Sequence, residues 1–289
     1  MFNTSLAEAV EQFAALTHAA PDSALDREWA WGAYDSEGVR FAFFRTYEEL
    51  RELAATTAAE RAARGPALTA AQRVLAQYHA GYRDLQAALL GIDGDAADQT
   101  PAEGEWPLRR VVRHIVGADV GFYVVAKYAL DRHRTGDGRP AEIPDEAWDT
   151  IIGQDVDAVR TILDGPLAGI RSFHAAIHER VLREFAGITE DELSAPSMYW
   201  EGYAMSLRFR LHRFDSHMRQ HTIQVDKTLE GIGRAPNEAK RLLRLIYAAL
   251  AQAEGATIGA WEVGAELWRE TAEAIAARTK EIASILADT

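Results

Sequence analysis

The stretch Ser206-Leu-Arg-Phe-Arg-Leu-His-Arg-Phe-Asp-Ser-His217-Met-Arg-Gln-His221-Thr-Ile-Gln224-Val-Asp-Lys-Thr-Leu229 decides how this chain is read. It lies in a helical segment of about 204–230, entered from a loop that Pro196 and Gly202 bracket and closed by Gly231-Ile232-Gly233. Within it, His217 and His221 stand four residues apart. Side chains at that spacing share one helix face, about 5–6 Å apart at Cβ. Two imidazoles so placed can reach one divalent ion. A third histidine would leave coordination positions open, and an open metal site is a chemical site.

On both sides the pattern is helical. Residues 3–17 and 44–63 read as helices, and Gly65-Pro66 punctuates the chain. Thr69-Ala-Ala-Gln72 is a capping-box start. The helix it opens carries Leu75, Tyr78, Tyr82, Leu85 and Leu89 at alternating steps of 3 and 4, a buried stripe. After a polar loop, Trp106-Pro107 opens a helix with Val111, Ile115, Phe122 and Val125 on its face, ending near Leu130. A long linker, roughly Arg132 to Gln154, has room to cross a bundle rather than turn back tightly. Residues 155–186 read as helical, with Gly165-Pro166 as a break, and Thr189-Glu-Asp-Glu192 is a second capping box. Two more helices run from Pro236 to about Glu254 and from about Val263 to Ala287. The one strand-like run is Gly38 to Phe44, where Val39, Phe41 and Phe43 alternate. The expected fold class is all-α.

Bulk properties exclude several function classes. At 289 residues and 48% hydrophobic, the chain can bury a sizeable core without covalent staples. It has no cysteine, so it has no disulfide, no thiolate ligand and no thiol nucleophile of its own. The first residues carry no signal-peptide pattern, and no apolar run approaches a membrane span. A cytoplasmic location is expected. A net charge of −13 opposes binding to nucleic acids and anionic lipids.

Nine histidines among 289 residues would place only about 0.3 pairs at the helical i, i+4 spacing by chance. There are two, His217/His221 and His174/His178. The candidate third ligand is His114, on the helix that Val111, Ile115 and Phe122 set against the core. A core histidine bonded to a backbone carbonyl is the competing reading. His212 lies about 140° round the helix from His217 and is not read as a ligand. His174 and His178 read as a second metal site, as a lining of the first, or as a solvated face near acids.

Trp106…His114-Ile115, followed after the long crossover by His217-Met-Arg-Gln-His221-Thr-Ile-Gln224 and Leu229-Glu-Gly-Ile232-Gly233, resembles the DinB/YfiT-like family. The resemblance covers about residues 66–233. It implies a four-helix bundle in up-down-down-up order with a long crossover, and a divalent metal held by His114, His217 and His221. Many relatives have glycine before the glutamine that follows the last histidine. Here that position is Ile223, so a partly different pocket is expected. Residues 1–65 and 234–289 fall outside the common bundle and are expected to be N- and C-terminal helical extensions, packed on the bundle or forming a homodimer contact.

Three neutral imidazoles leave the metal its full charge, so a bound water or anion would feel a strong field. The sequence lacks His-Glu-x-x-His, because Met218 and Arg219 follow His217, so the motif supplies no protease-type general base. Some relatives are thiol-dependent transferases or isomerases. The resemblance therefore implies metal-dependent thiol transfer to a small-molecule substrate, the sulfur arriving with an external low-molecular-weight thiol. A non-catalytic metal-bearing binding or stress-response module is the alternative, and a metal-free helical interaction protein is a third reading. A histidine-only site accepts Zn²⁺, Ni²⁺ or Fe²⁺. Gln224 and Tyr123 are the expected cofactor-site neighbours, with Asp119 and Arg219 as further pocket candidates. Tyr199, Trp200 and Tyr203 would wall a pocket mouth or pack the loop. Trp29, Trp31 and Tyr34 would form a lid, a partner surface or the core of the N-terminal extension.

Overall fold

The computed structural model describes residues 4–65 and 67–287. The fold is all-α. Its helices are α1 Thr4–Thr17, α2 Val39–Arg64, α3 Ala70–Ala88, α4 Gly94–Asp98, α5 Leu108–Arg134, α6 Asp145–Ile152, α7 Val156–Leu163, α8 Leu167–Phe185, α9 Leu207–Gly231, α10 Glu238–Ala256 and α11 Ala265–Ala287. Two short antiparallel strands, β1 Pro196–Ser197 and β2 Met205–Ser206, precede α9. The chain divides into two compact units. One comprises Leu68–Tyr82 and Asp93–Arg234; the other comprises Met1–Ala67, Arg83–Ile92 and Ala235–Thr289.

The first of these units is built around α5. Its buried residues include Val111, Val112, Ile115, Val116, Asp119, Val120, Gly121, Phe122, Tyr123, Val124 and Val125, which together cover nearly the whole helix circumference. A helix apolar all round is a core helix. The pairing of side chains fixes the directions of its neighbours. Asp119 meets His174 and Tyr123 meets Glu184, so α5 and α8 run parallel. Phe122 meets Phe214 while His114 meets His221, so α5 and α9 run antiparallel. Gln72 bonds the Ala186 carbonyl and Tyr82 packs on His174, so α3 opposes α8. The resulting order is up-down-down-up.

Local chemistry sets the ends. The Thr69–Gln72 capping box is formed reciprocally, at 3.1 and 3.2 Å. Ser206 accepts from the Phe209 amide to cap α9. Pro107, Pro144 and Pro166 stand at the N-caps of α5, α6 and α8. The parallel α5 and α8 require a crossover. It runs from Thr135 to Pro166 and is less extended than its Gly and Pro content suggests, because α6 and α7 occupy much of it and α5 continues to Arg134. The second capping box, Thr189–Glu192, also forms, but it caps only a single turn at Glu192–Ser194.

A buried polar cluster ties three helices of this unit. Asp119 Oδ2 accepts from the Tyr78 hydroxyl at 2.9 Å and from His174 Nε2 at 3.0 Å. His178 is stacked on Tyr82 with ring centroids 3.8 Å apart and shares a 3.1 Å hydrogen bond with His79. His174 and His178 are thus buried, and the solvated-face reading of this pair does not hold. Burial raises the Asp119 pKa, and the bonds from His174 and Tyr78 act against that rise.

The other unit has its own core of Leu6, Val10, Phe13, Phe43, Leu50, Leu243, Ile246, Leu250 and Ile275. Phe13 and Phe43 meet edge to face at 5.0 Å. Arg61 donates to the carbonyls of Ala256 and Ile258, satisfying the open end of α10. Arg83 forms a buried two-pronged pair with Glu254 at 2.6 and 2.8 Å. Trp29 is in this core and donates to Glu281, while Trp31 and Tyr34 are exposed and rest against Arg45 and Phe41. The strand-like run at Gly38 to Phe44 is helical: α2 begins at Val39. Its buried positions, Val39, Ala42, Phe43, Thr46, Leu50, Leu53 and Thr57, follow a helical period, and Phe44 of the expected strand edge is exposed. Among the described residues, no helix is long and apolar enough to cross a membrane.

Asp119→Ala leaves two buried donors without an acceptor, at about 1–3 kcal/mol each. Chemical denaturation should therefore show a larger loss for Asp119→Ala than for Tyr78→Phe, which strands no donor. Equal losses would mean that the cluster does not act through its shared carboxylate.

Candidate metal centre

His114, His217 and His221 converge. One ligand nitrogen from each lies within 4.8 Å of the others. The ring centroids are 4.4 Å apart for His217/His221, 4.5 Å for His114/His221 and 4.9 Å for His114/His217. The pair on α9 is a product of helical spacing alone. The third ring arrives because α5 runs antiparallel to α9 and turns His114 towards it.

The residues fit a metal. Nε2 of His114 and Nε2 of His217 are 3.2 Å apart. Two nitrogens of a tetrahedral site, each ~2.0–2.1 Å from the ion, lie about 3.3 Å apart. Among the described residues, His217 Nδ1 is buried and has no hydrogen-bond partner, so packing rather than a protein acceptor holds that edge of the ring. Desolvation, followed by the neighbouring His221, His114 and Arg213, pushes the His217 pKa down to about 3. Desolvation and His221 also lower His114. Both rings are therefore neutral at physiological pH, with lone pairs available for coordination.

Gln224 bears on the same site. Its Oε1 lies 2.8 Å from His221 Nδ1 and accepts that N–H. The bond fixes the tautomer, leaving Nε2 as the lone-pair nitrogen. The structure does not bring Tyr123 to the site. Nine residues at ~100° each put it on the opposite side of α5 from His114. Its hydroxyl instead donates to Glu184 and accepts from Arg180, each at 2.9 Å. Asp119 faces the buried cluster, and Arg219 pairs with Asp215 at 2.6 Å.

A cavity of about 640 Å³ opens beside His114 and His217. Trp106 meets His114 edge-on at 5.5 Å, and Phe122 meets His217 edge-on at 5.6 Å. Tyr199 and Trp200 form another wall; Tyr203 is not among the lining residues. The loop between β1 and β2 that carries these aromatics is held by Arg210, which is fully buried. Its guanidinium donates to Ser197 Oγ at 3.0 Å and to both Glu201 oxygens at 2.6 and 2.8 Å.

Sequence reasoning missed the charged lining, Arg110, Arg113 and Arg213. The signal was present: Arg110 and Arg213 each lie four residues before a histidine of the triad, on the same helix face.

The family model described as the DinB superfamily matches residues 77–225, 149 of the 289 residues. No curated protein and no solved structure matches the chain.

Gly121 lies on α5 where a methyl group would overlap the Tyr199 hydroxyl. Gly121→Ala should displace the Tyr199–Trp200 loop and destabilise by about 1–3 kcal/mol, with greater acrylamide quenching of tryptophan fluorescence. Adding Tyr199→Ala should relieve the stability loss. Unchanged stability and quenching in the single variant would disprove the contact.

Proposed function

The chain belongs to the DinB superfamily, and we propose that its three-histidine centre holds a divalent metal for thiol transfer to a small molecule. One observation carries the reading: three imidazoles converge, two of them, His114 and His217, on the wall of a cavity large enough for a substrate, with no carboxylate in the ligand set. Zn²⁺, Ni²⁺ and Fe²⁺ all suit such a set. When bound, the metal supplies Lewis acidity that lowers the pKa of a thiol held beside it.

The chain's own residues do the remaining work. His114, His217 and His221 provide neutral donors, and Gln224 orients His221. Trp106, Phe122 and Tyr199 give the cavity apolar walls that restrict water around a reacting sulfur. The absence of cysteine in the chain means the sulfur belongs to an external thiol. In the transfer, the S–H proton leaves to solvent and a sulfur lone pair forms a bond to an electrophilic carbon. The leaving group departs with the electron pair of the broken bond.

Purified protein should carry about one equivalent of metal, measured by elemental analysis. His217→Ala should abolish retention, and Gln224→Leu should weaken affinity about 10–100-fold. Metal-loaded protein should accelerate the reaction of glutathione or cysteine with 1-chloro-2,4-dinitrobenzene, whereas His217→Ala should not. If no metal is retained, and melting is the same with chelator and with added Zn²⁺, the reading fails. Metal without thiol turnover would leave a non-catalytic metal-bearing module.

A further inference from the structure

We propose that the cavity beside the histidine centre selects a substrate bearing a carboxylate or similar small anionic group, held by a guanidinium of its wall, that of Arg110 or Arg213. The proposal takes its reactive neighbour from the thiol-transfer reading, but the binding it describes does not require the metal.

The chain as a whole carries a net charge of −13. The cavity inverts that sign: its lining includes three arginines and no aspartate or glutamate. Arg113 is 3.0 Å from Asp164, an exposed pair that leaves both partners in contact with water. Arg110 lies over the Trp106 ring, its guanidinium carbon 4.4 Å from the centroid. Arg213 lies over Phe122 at 5.6 Å and makes a long 3.4 Å contact to Ser216. Glu201, which feels the charge of Arg213, gives both oxygens to Arg210. Stacking on an aromatic face holds a guanidinium plane in place and leaves its N–H edge free for an acceptor. A single guanidinium edge on a concave wall matches the bidentate geometry of a carboxylate. A cleft lined by one sign of charge also focuses its field and concentrates the opposite ion.

The placement links binding to chemistry. Arg110 precedes His114 by one turn on α5 and Arg213 precedes His217 by one turn on α9; because the helices are antiparallel, the two arginines flank the histidine level from opposite sides, and an anionic group held by either one sets the body attached to it beside the histidine centre. Trp106, Tyr199 and Trp200 surround the same space and suit a flat or apolar body attached to the anionic group. A cationic substrate would meet three like charges.

Benzoate and its neutral counterpart benzamide are the probes. Trp106 and Trp200 line the cavity, so tryptophan fluorescence reports occupancy, with calorimetry as a second readout. In metal-free protein, benzoate should bind saturably and at least about tenfold more tightly than benzamide, a gap that one charge-assisted contact can supply. The pair Arg110→Gln/Arg213→Gln should lower benzoate affinity by at least about tenfold. Arg110→Lys/Arg213→Lys, which keeps the charge and the fold, should retain part of it. Arg269→Gln, on α11, should change nothing. Absence of saturable benzoate binding, equal binding of the two probes, or full affinity in the Gln pair overturns the proposal. So does benzoate binding that appears only after Zn²⁺ loading and survives the Gln pair, although the metal reading would then stand. Arginine-dependent benzoate binding in a protein that takes up no metal would support this proposal and refute the metal reading.

Discussion

The buried carboxylate of Asp119 fixes the rotation of α5, and the candidate site depends on that rotation. Asp119 Oδ2 accepts from Tyr78 on α3 and from His174 on α8. Two donors on different helices meet one oxygen only when α5 is turned to a particular phase. The carboxylate is costly to bury, as the upward shift of its pKa indicates. Its hydrogen bonds offset part of that cost and discriminate against other rotations, which would strand all three groups. With Asp119 set towards α3 and α8, His114 lies about 140° round the helix. That direction faces α9.

Antiparallel packing then does the rest. His114 sits near the start of α5, and His217 and His221 straddle the middle of α9, so the three rings share one level of the bundle. The same level is walled by Trp106 against His114 and by Phe122 against His217, and desolvation keeps His217 neutral. Neutral rings carry the lone pairs that a metal requires. The orphaned Nδ1 of His217 belongs to the same logic: the ring is positioned by packing rather than by a bond to a protein acceptor. Arg210 completes the wall by fastening the loop that carries Tyr199 and Trp200.

Much of this was legible in the sequence because it is periodic. The stripe from Leu75 to Leu89, the Thr69–Gln72 box, the Gly165-Pro166 break and the His217/His221 spacing each express a local rule that the tertiary structure keeps. What was not legible depends on which way a helix faces. His174 and His178 could be assigned to solvent or core only once their helix was packed. Tyr123 looked like a neighbour of His114 in sequence, yet it projects from the opposite side of the same helix. Val39, Phe41 and Phe43 satisfied a strand's period over too few residues for the longer helical period of α2 to be heard. The arginines were overlooked because charged residues are common on helices, and only a cavity gives three of them a shared purpose.

The helical period that pairs His217 with His221 also places Arg213 one turn earlier, and α5 repeats the arrangement with Arg110 and His114. Each helix thus offers an arginine and a histidine on one face, one turn apart, and the antiparallel packing sets the two arginines on opposite sides of the histidine level. A rotation of either helix would therefore move an anion-binding group and a metal-binding group together. Binding and chemistry are coupled by geometry rather than by any contact between the side chains concerned. It follows that the groups setting the phase of α5, with Asp119 foremost, govern both properties of the cavity while touching neither substrate nor metal. The cost of a buried carboxylate is then intelligible: an apolar residue at 119 would pack, but it would not choose among rotations.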